Sequence, residues 1–126
     1  MMVAGRYYIG DLCYVMHDAW DEICDLVFDD NHGCIEGEFT LKDGRRFAMY
    51  NTAYGDGVYT DQYGREYSVD SGSIGCILLD DIRDESYDDE RLSELANISD
   101  ISVPFETGNN RGVIYIASLI IDTKGE

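Results

Sequence analysis

Apolar residues alternate in some stretches of this chain, run continuously in others and recur at helical spacing in one segment. Residues Arg6 to Ile9 (RYYI) predict a short strand, ended by Gly10-Asp11, and Leu12 to Met16 is a second apolar stretch. Asp18 then reads as a helix N-cap, with Asp21 and Glu22 in the first turn, where the helix dipole favours acids. Trp20, Ile23, Cys24 and Val27 follow the i, i+3, i+4, i+7 spacing of an amphipathic helix over 19–30, stopped by Asn31-His32-Gly33. Asp29 and Asp30 would sit at its C-terminal end, where the dipole disfavours them.

Beyond the helix the period returns to two. Ile35, Gly37, Phe39 and Leu41 alternate onto one face, and Asp43-Gly44 is a hairpin turn signal before Arg45 to Asn51. Val58 to Asp61 and Glu66 to Asp70 flank Gln62-Tyr63-Gly64-Arg65, a second hairpin candidate. Ser73 to Leu79 is continuously apolar and predicts a central strand. Residues 80–90 read as an acidic loop, and Asp88 or Asp89 would cap a second short helix over 88–96 carrying Leu92 and Leu95. After a loop around Pro104 to Arg111, Gly112 to Asp122 is apolar on both faces, the pattern of one buried central strand. Hairpin signals dominate, so the expected fold is α+β, mainly an antiparallel sheet, in a single domain over 1–126.

Composition narrows the classes. The chain has thirteen Gly and one Pro, which suits short strands joined by tight turns. No apolar run approaches the ~18 residues of a membrane span. MMVAGRYYIGD lacks the basic and apolar regions of a signal peptide, so a cytoplasmic location in a bacterial host is expected. Cys13, Cys24, Cys34 and Cys76 form no CxxC pair, which predicts buried, unpaired thiols and no zinc site.

Charge changes the picture most. Twenty-six acids face nine bases, a net charge of −17. Spread over the roughly 6,800 Å² that scaling assigns to this mass, that is about one net charge per ~400 Å². Duplex DNA, treated as a cylinder of ~10 Å radius, carries about one per ~100 Å². The protein approaches DNA only where its acids gather. Asp18, Asp21, Glu22, Asp25, Asp29 and Asp30 form one group; Asp80, Asp81, Asp84, Glu85, Asp88, Asp89 and Glu90 form another, opposed there only by Arg83. Lys42, Arg45 and Arg46 cluster around one turn. Direct nucleic-acid binding is disfavoured, since phosphate contacts need Lys and Arg.

The segment Asn51 to Gly75 is rich in Gly, Tyr and Asp. Three strings, YYIGDLCYV (7–15), TAYGDGVYTDQYG (52–64) and VDSGSIGCI (69–77), resemble a family of small uncharacterised phage and bacterial proteins. There an IGDxCYV start precedes a TAYGDGxY turn and a VDxGxIG strand. The resemblance covers roughly residues 7–80 and implies a shared fold and a phage or bacterial setting. No activity attaches to it.

Read residue by residue, Gly55, Gly57, Gly64 and Gly72 supply turn positions, and Asp56 and Asp70 can close Asx-turns. A functional alternative gathers Asp11, Asp56, Asp61 and Asp70 on a hard cation or as an acid/base pair, although the EF-hand spacing is absent. Ser71 lacks the nucleophile elbow, and Cys13 or Cys76 would need His17 brought to it. Three readings follow. The first is a non-enzymatic inhibitor without cofactor or metal, presenting the two acidic clusters in place of phosphates to a protein with a basic, nucleic-acid-binding surface, as an anti-defence phage protein would. The second is a metal-assisted hydrolase built on the four aspartates. The third is an acidic structural or interaction module.

Overall fold

A computed structural model describes residues 2–29, 33–82 and 97–123. Its centre is a five-stranded antiparallel sheet of β1 (Gly5–Gly10), β4 (Gly37–Thr40), β5 (Arg46–Asn51), β8 (Ser73–Leu78) and β9 (Asn97–Ile101), in the order β4-β5-β8-β1-β9. The continuously apolar run of β8 takes the middle position, as its pattern predicts. Ser73 through Ile77 are buried, with Ile77 opposite Phe47 on one side and Tyr8 on the other. Gly75 pairs with Met49 and Gly10, and a Cβ there would fall on the Ala48 carbonyl oxygen. Tyr7, Tyr8 and Ile9 of β1 are wholly buried, so the sheet is covered on both faces.

The cover comes from different parts of the chain. Asp11 starts a 3-10 turn, Leu12–Tyr14, and a second such turn, His17–Ala19, leads into α1 (Trp20–Val27). The apolar stretch 12–16 is therefore a turn that buries Leu12, Val15 and Met16, and strand-like composition there reflects burial alone. The helix buries Ile23 and half-buries Trp20 and Val27. It ends at Val27, short of the expected residue 30. Phe28–Asp29 (β2) pairs with Gly33–Cys34 (β3), and Ile35 N–H donates to the Val27 carbonyl at 2.7 Å. Pairing of Phe28 with Cys34 and of Asp29 with Gly33 takes the place of one more helical turn. Asp29 consequently stands in a strand and not in the last turn of the helix.

Both predicted hairpins form. Thr40 pairs with Arg46 across Asp43-Gly44, and β6 (Gly57–Thr60) pairs with β7 (Glu66–Val69) across Gln62–Arg65. Gly44 (φ 98°) and Gly64 (φ 83°) hold the left-handed positions that these turns need.

The segment 112–122 departs from expectation. Instead of one central strand it is a hairpin, β11 (Val113–Ile116) and β12 (Leu119–Asp122), in a separate three-stranded sheet with β10 (Thr107–Asn110). The stretch before it, read as loop, supplies β10. Arg111-Gly112 turns with φ of 54° and 93°, and Ala117, at φ 56°, opens the second turn. Neither Arg nor Ala signals a left-handed position, and the outward residues Tyr115 and Ile120 are apolar, so the alternation was hidden. This small sheet leans on the large one through Tyr50 and Thr107, whose hydroxyls lie 2.6 Å apart, and through Asn109 donating to the Asn51 carbonyl. The helix expected over 88–96 lies outside the described residues. No described helix is long and apolar enough to cross a membrane.

Candidate functional site

The acidic groups of the helix separate by role. Asp21 and Asp25, four residues apart on α1, are exposed. Glu22 is half-buried and accepts the Lys42 backbone N–H at 2.7 Å. Asp18 lies in the 3-10 turn before the helix, and its carboxylate pairs with Arg45 Nη2 at 3.0 Å. In the second group, Asp80 is exposed and Asp81 half-buried in a 3-10 turn, Leu79–Asp81, that follows β8 directly. Asp84, Glu85, Asp88, Asp89, Glu90 and, from the first group, Asp30 lie outside the described residues.

Arg45 joins these groups, a role that its place beside an Asp-Gly turn did not reveal. Its side chain is 6% exposed. Nε donates to Asp43 at 2.9 Å, Nη2 meets Asp18, and Nη1 donates to the Asp81 carbonyl at 3.1 Å. Burial works against its charge, but Asp18 and Asp43 outweigh burial and raise its pKa. One guanidinium thus holds together the start of the helix, the β4–β5 hairpin and the turn leading into 80–90. Arg46 pairs with Glu38 at 3.2 Å. The predicted basic cluster is therefore largely spent inside the protein, and Lys42 is its exposed member.

The four aspartates of the metal reading do not form one set. Asp11 is fully buried. Its Oδ2 accepts the N–H groups of Asp70 (2.7 Å) and Ser71 (2.8 Å); its Oδ1 accepts Cys13 N–H (2.9 Å) and the Ser71 hydroxyl (2.7 Å). Four donors around one carboxylate satisfy its charge without a cation. Asp61, also buried, closes its hairpin by accepting Tyr63 N–H, Arg65 N–H and the Tyr67 hydroxyl at 2.7 Å. Asp70 is exposed and accepts from the Tyr14 hydroxyl at 2.6 Å, and Asp56 is exposed near Gly72. Among the described residues, no three His, Cys, Asp or Glu side chains stand together as metal ligands.

The thiols are not poised for attack. Burial, a hydrogen bond with Asp11 and the charges of Asp11, Asp70 and Asp56 push Cys13 up to about 12. Burial takes Cys76 to about 12 as well. Both are protonated at neutral pH, the reverse of a nucleophilic thiolate. Cys24 is exposed on the helix, which corrects its expected burial. Cys13, Cys24 and Cys76 form no disulfide.

Comparison with protein-family models, with curated proteins and with solved structures finds no match, so the geometry of these residues carries the functional reading.

Proposed function

We propose that the protein is an acidic binding module that blocks a partner's basic, nucleic-acid-binding surface by setting carboxylates where phosphates would lie. The observation that carries this reading is the Arg45 junction. The guanidinium touches both Asp18 and the Asp81 backbone, so the starts of the two acidic segments lie side by side. Asp21, Asp25 and Asp80 are exposed from those segments and, among the described residues, are not consumed by internal pairing with lysine or arginine. Carboxylates brought together there, within a chain of net charge −17, would raise the local charge density above the surface average. A phage setting and the bacterial cytoplasm as the place of action belong to the same proposal and rest on the resemblance of the three sequence strings.

The mechanism is steric and electrostatic. Carboxylates compete for the partner's Lys and Arg, and the field steers encounter. The test uses a basic partner captured from a bacterial host. Binding should weaken as salt shortens the screening length from about 10 Å at 0.1 M toward 3 Å at 1 M. Duplex DNA should compete. Reversing Asp21, Asp25, Asp80 and Asp84 to Lys should slow association about ten- to hundredfold. An affinity indifferent to salt, to DNA and to these reversals would remove the proposal.

A further inference from the structure

A cavity of about 410 Å³ opens between α1 and the large sheet. Its size falls in the range of small-molecule sites, roughly 300–1,000 Å³. The helix contributes two half-buried side chains to it, Trp20 and Val27. Opposite them stand Met49 and Asn51 of β5 and Ser73 of β8. Ile35, pinned by its bond to the Val27 carbonyl, closes one side. The walls are therefore mainly apolar, with one aromatic face.

The polar oxygen- and nitrogen-bearing side chains of the lining are Asp25, Asn51, Ser71 and Ser73. Asp25 is the charged residue that lines it, and no Lys, Arg or His among the described residues does. The Asn51 backbone N–H, at the cavity edge, is taken by the Glu36 carboxylate at 2.6 Å. Ser71 gives its hydroxyl proton to Asp11, so the 2.8 Å contact between Ser71 and Ser73 must use the Ser73 proton. Ser73, a buried residue of the lining, thus has no hydroxyl proton left to donate. Asp25 attracts cations and repels anions, while the Asn51 side-chain amide can both donate and accept.

We infer that this cavity binds a small organic cation: a primary ammonium or guanidinium on an alkyl or aryl stem. The stem would fill the space between Val27, Ile35 and Met49. The cation would lie within reach of Asp25 and of the face of Trp20, combining ionic and cation–π attraction. This site shares Asp25 with the proposed acidic face, but its binding of a small cation does not depend on that face engaging a partner.

Trp20 is the chain's one tryptophan, so its fluorescence reports the cavity without ambiguity. The probes are n-hexylammonium, n-butylammonium, methylammonium, hexanoate, hexanol and Nα-acetyl-lysine amide, at matched ionic strength. Hexylammonium should saturate the signal, and each methylene from butyl to hexyl should tighten binding about three- to fourfold. Bound hexylammonium should also slow alkylation of Cys24, which lines the cavity. Asp25→Asn, at an exposed position, should weaken hexylammonium about fivefold and leave hexanol unchanged. Hexanoate binding as tightly as hexylammonium would overturn the assignment. So would methylammonium binding as tightly, since that is the general field of an acidic protein. Acetyl-lysine amide binding tenfold tighter than butylammonium would overturn the small-molecule assignment in favour of a protein-borne lysine.

Discussion

Removing the charge of Asp11 while keeping its shape tests whether this carboxylate holds the fold. In the Asp11→Asn variant one acceptor oxygen becomes an amide NH₂. The amide oxygen can stay with the Asp70 and Ser71 N–H groups, which cannot turn away. The NH₂ then faces the Cys13 N–H, 2.9 Å from the former oxygen, and two donors meet. The Ser71 hydroxyl can rotate and accept instead, breaking its 2.7 Å bond in the old sense. A buried donor left unmatched costs about 1–3 kcal/mol, and two charge-assisted bonds become ordinary ones at about 1 kcal/mol each. The expected loss is about 3–5 kcal/mol, a large part of the roughly 5–15 kcal/mol that a domain of this kind has. Asp11→Ala, which leaves four donors facing a void, should cost at least as much, whereas Ser71→Ala removes one hydroxyl and should cost about 1 kcal/mol. Urea unfolding followed by circular dichroism, with the slope checked for constancy, measures all three. An Asp11→Asn loss below ~1 kcal/mol would refute the claim that the carboxylate is structural, and would return it to the candidates for a ligand-binding acid.

Two other expectations follow from the packing. Gly75→Ala drives a Cβ onto the Ala48 carbonyl in the middle of the sheet, so soluble folded protein should fall steeply; a variant melting within a few degrees of wild type would contradict the register of β5 against β8. Stability should also decline in alkali. Burial takes Tyr7 to about 12 and, with the charge of Asp61, raises Tyr67; Cys13 and Cys76 also rise to about 12. Groups whose folded pKa is raised keep their stabilising effect below the unfolded value and lose it as pH climbs through the folded one. The loss should begin near pH 9 with the thiols, steepen above pH 10 with the tyrosines, and reach about 1.4 kcal/mol per pH unit for each titrating group. Denaturant midpoints flat from pH 8 to pH 11 would contradict the burial of these side chains.

Much of the sheet was legible in the residues. Asp43-Gly44 and Tyr63-Gly64 mark their turns because glycine alone enters left-handed backbone without cost. The run 73–78 marks the central strand because a strand covered on both faces has no reason to alternate. The helix was legible through the spacing of Trp20, Ile23 and Val27, and the net charge through simple counting. What tertiary structure decided was of another kind. Ala117 and Arg111 turn the chain against their local preference, because pairing β10, β11 and β12 gains more than a left-handed residue costs, about 1–2 kcal/mol. The aspartates likewise look alike in sequence. Asp11 became structural because N–H groups 59 and 60 residues away converge on it, and Asp61 because Tyr67 and its own hairpin do. Asp21, Asp25 and Asp80 stayed in solvent. Local sequence sets backbone preference and total charge; which carboxylate is spent and which is offered depends on donors that only folding brings near.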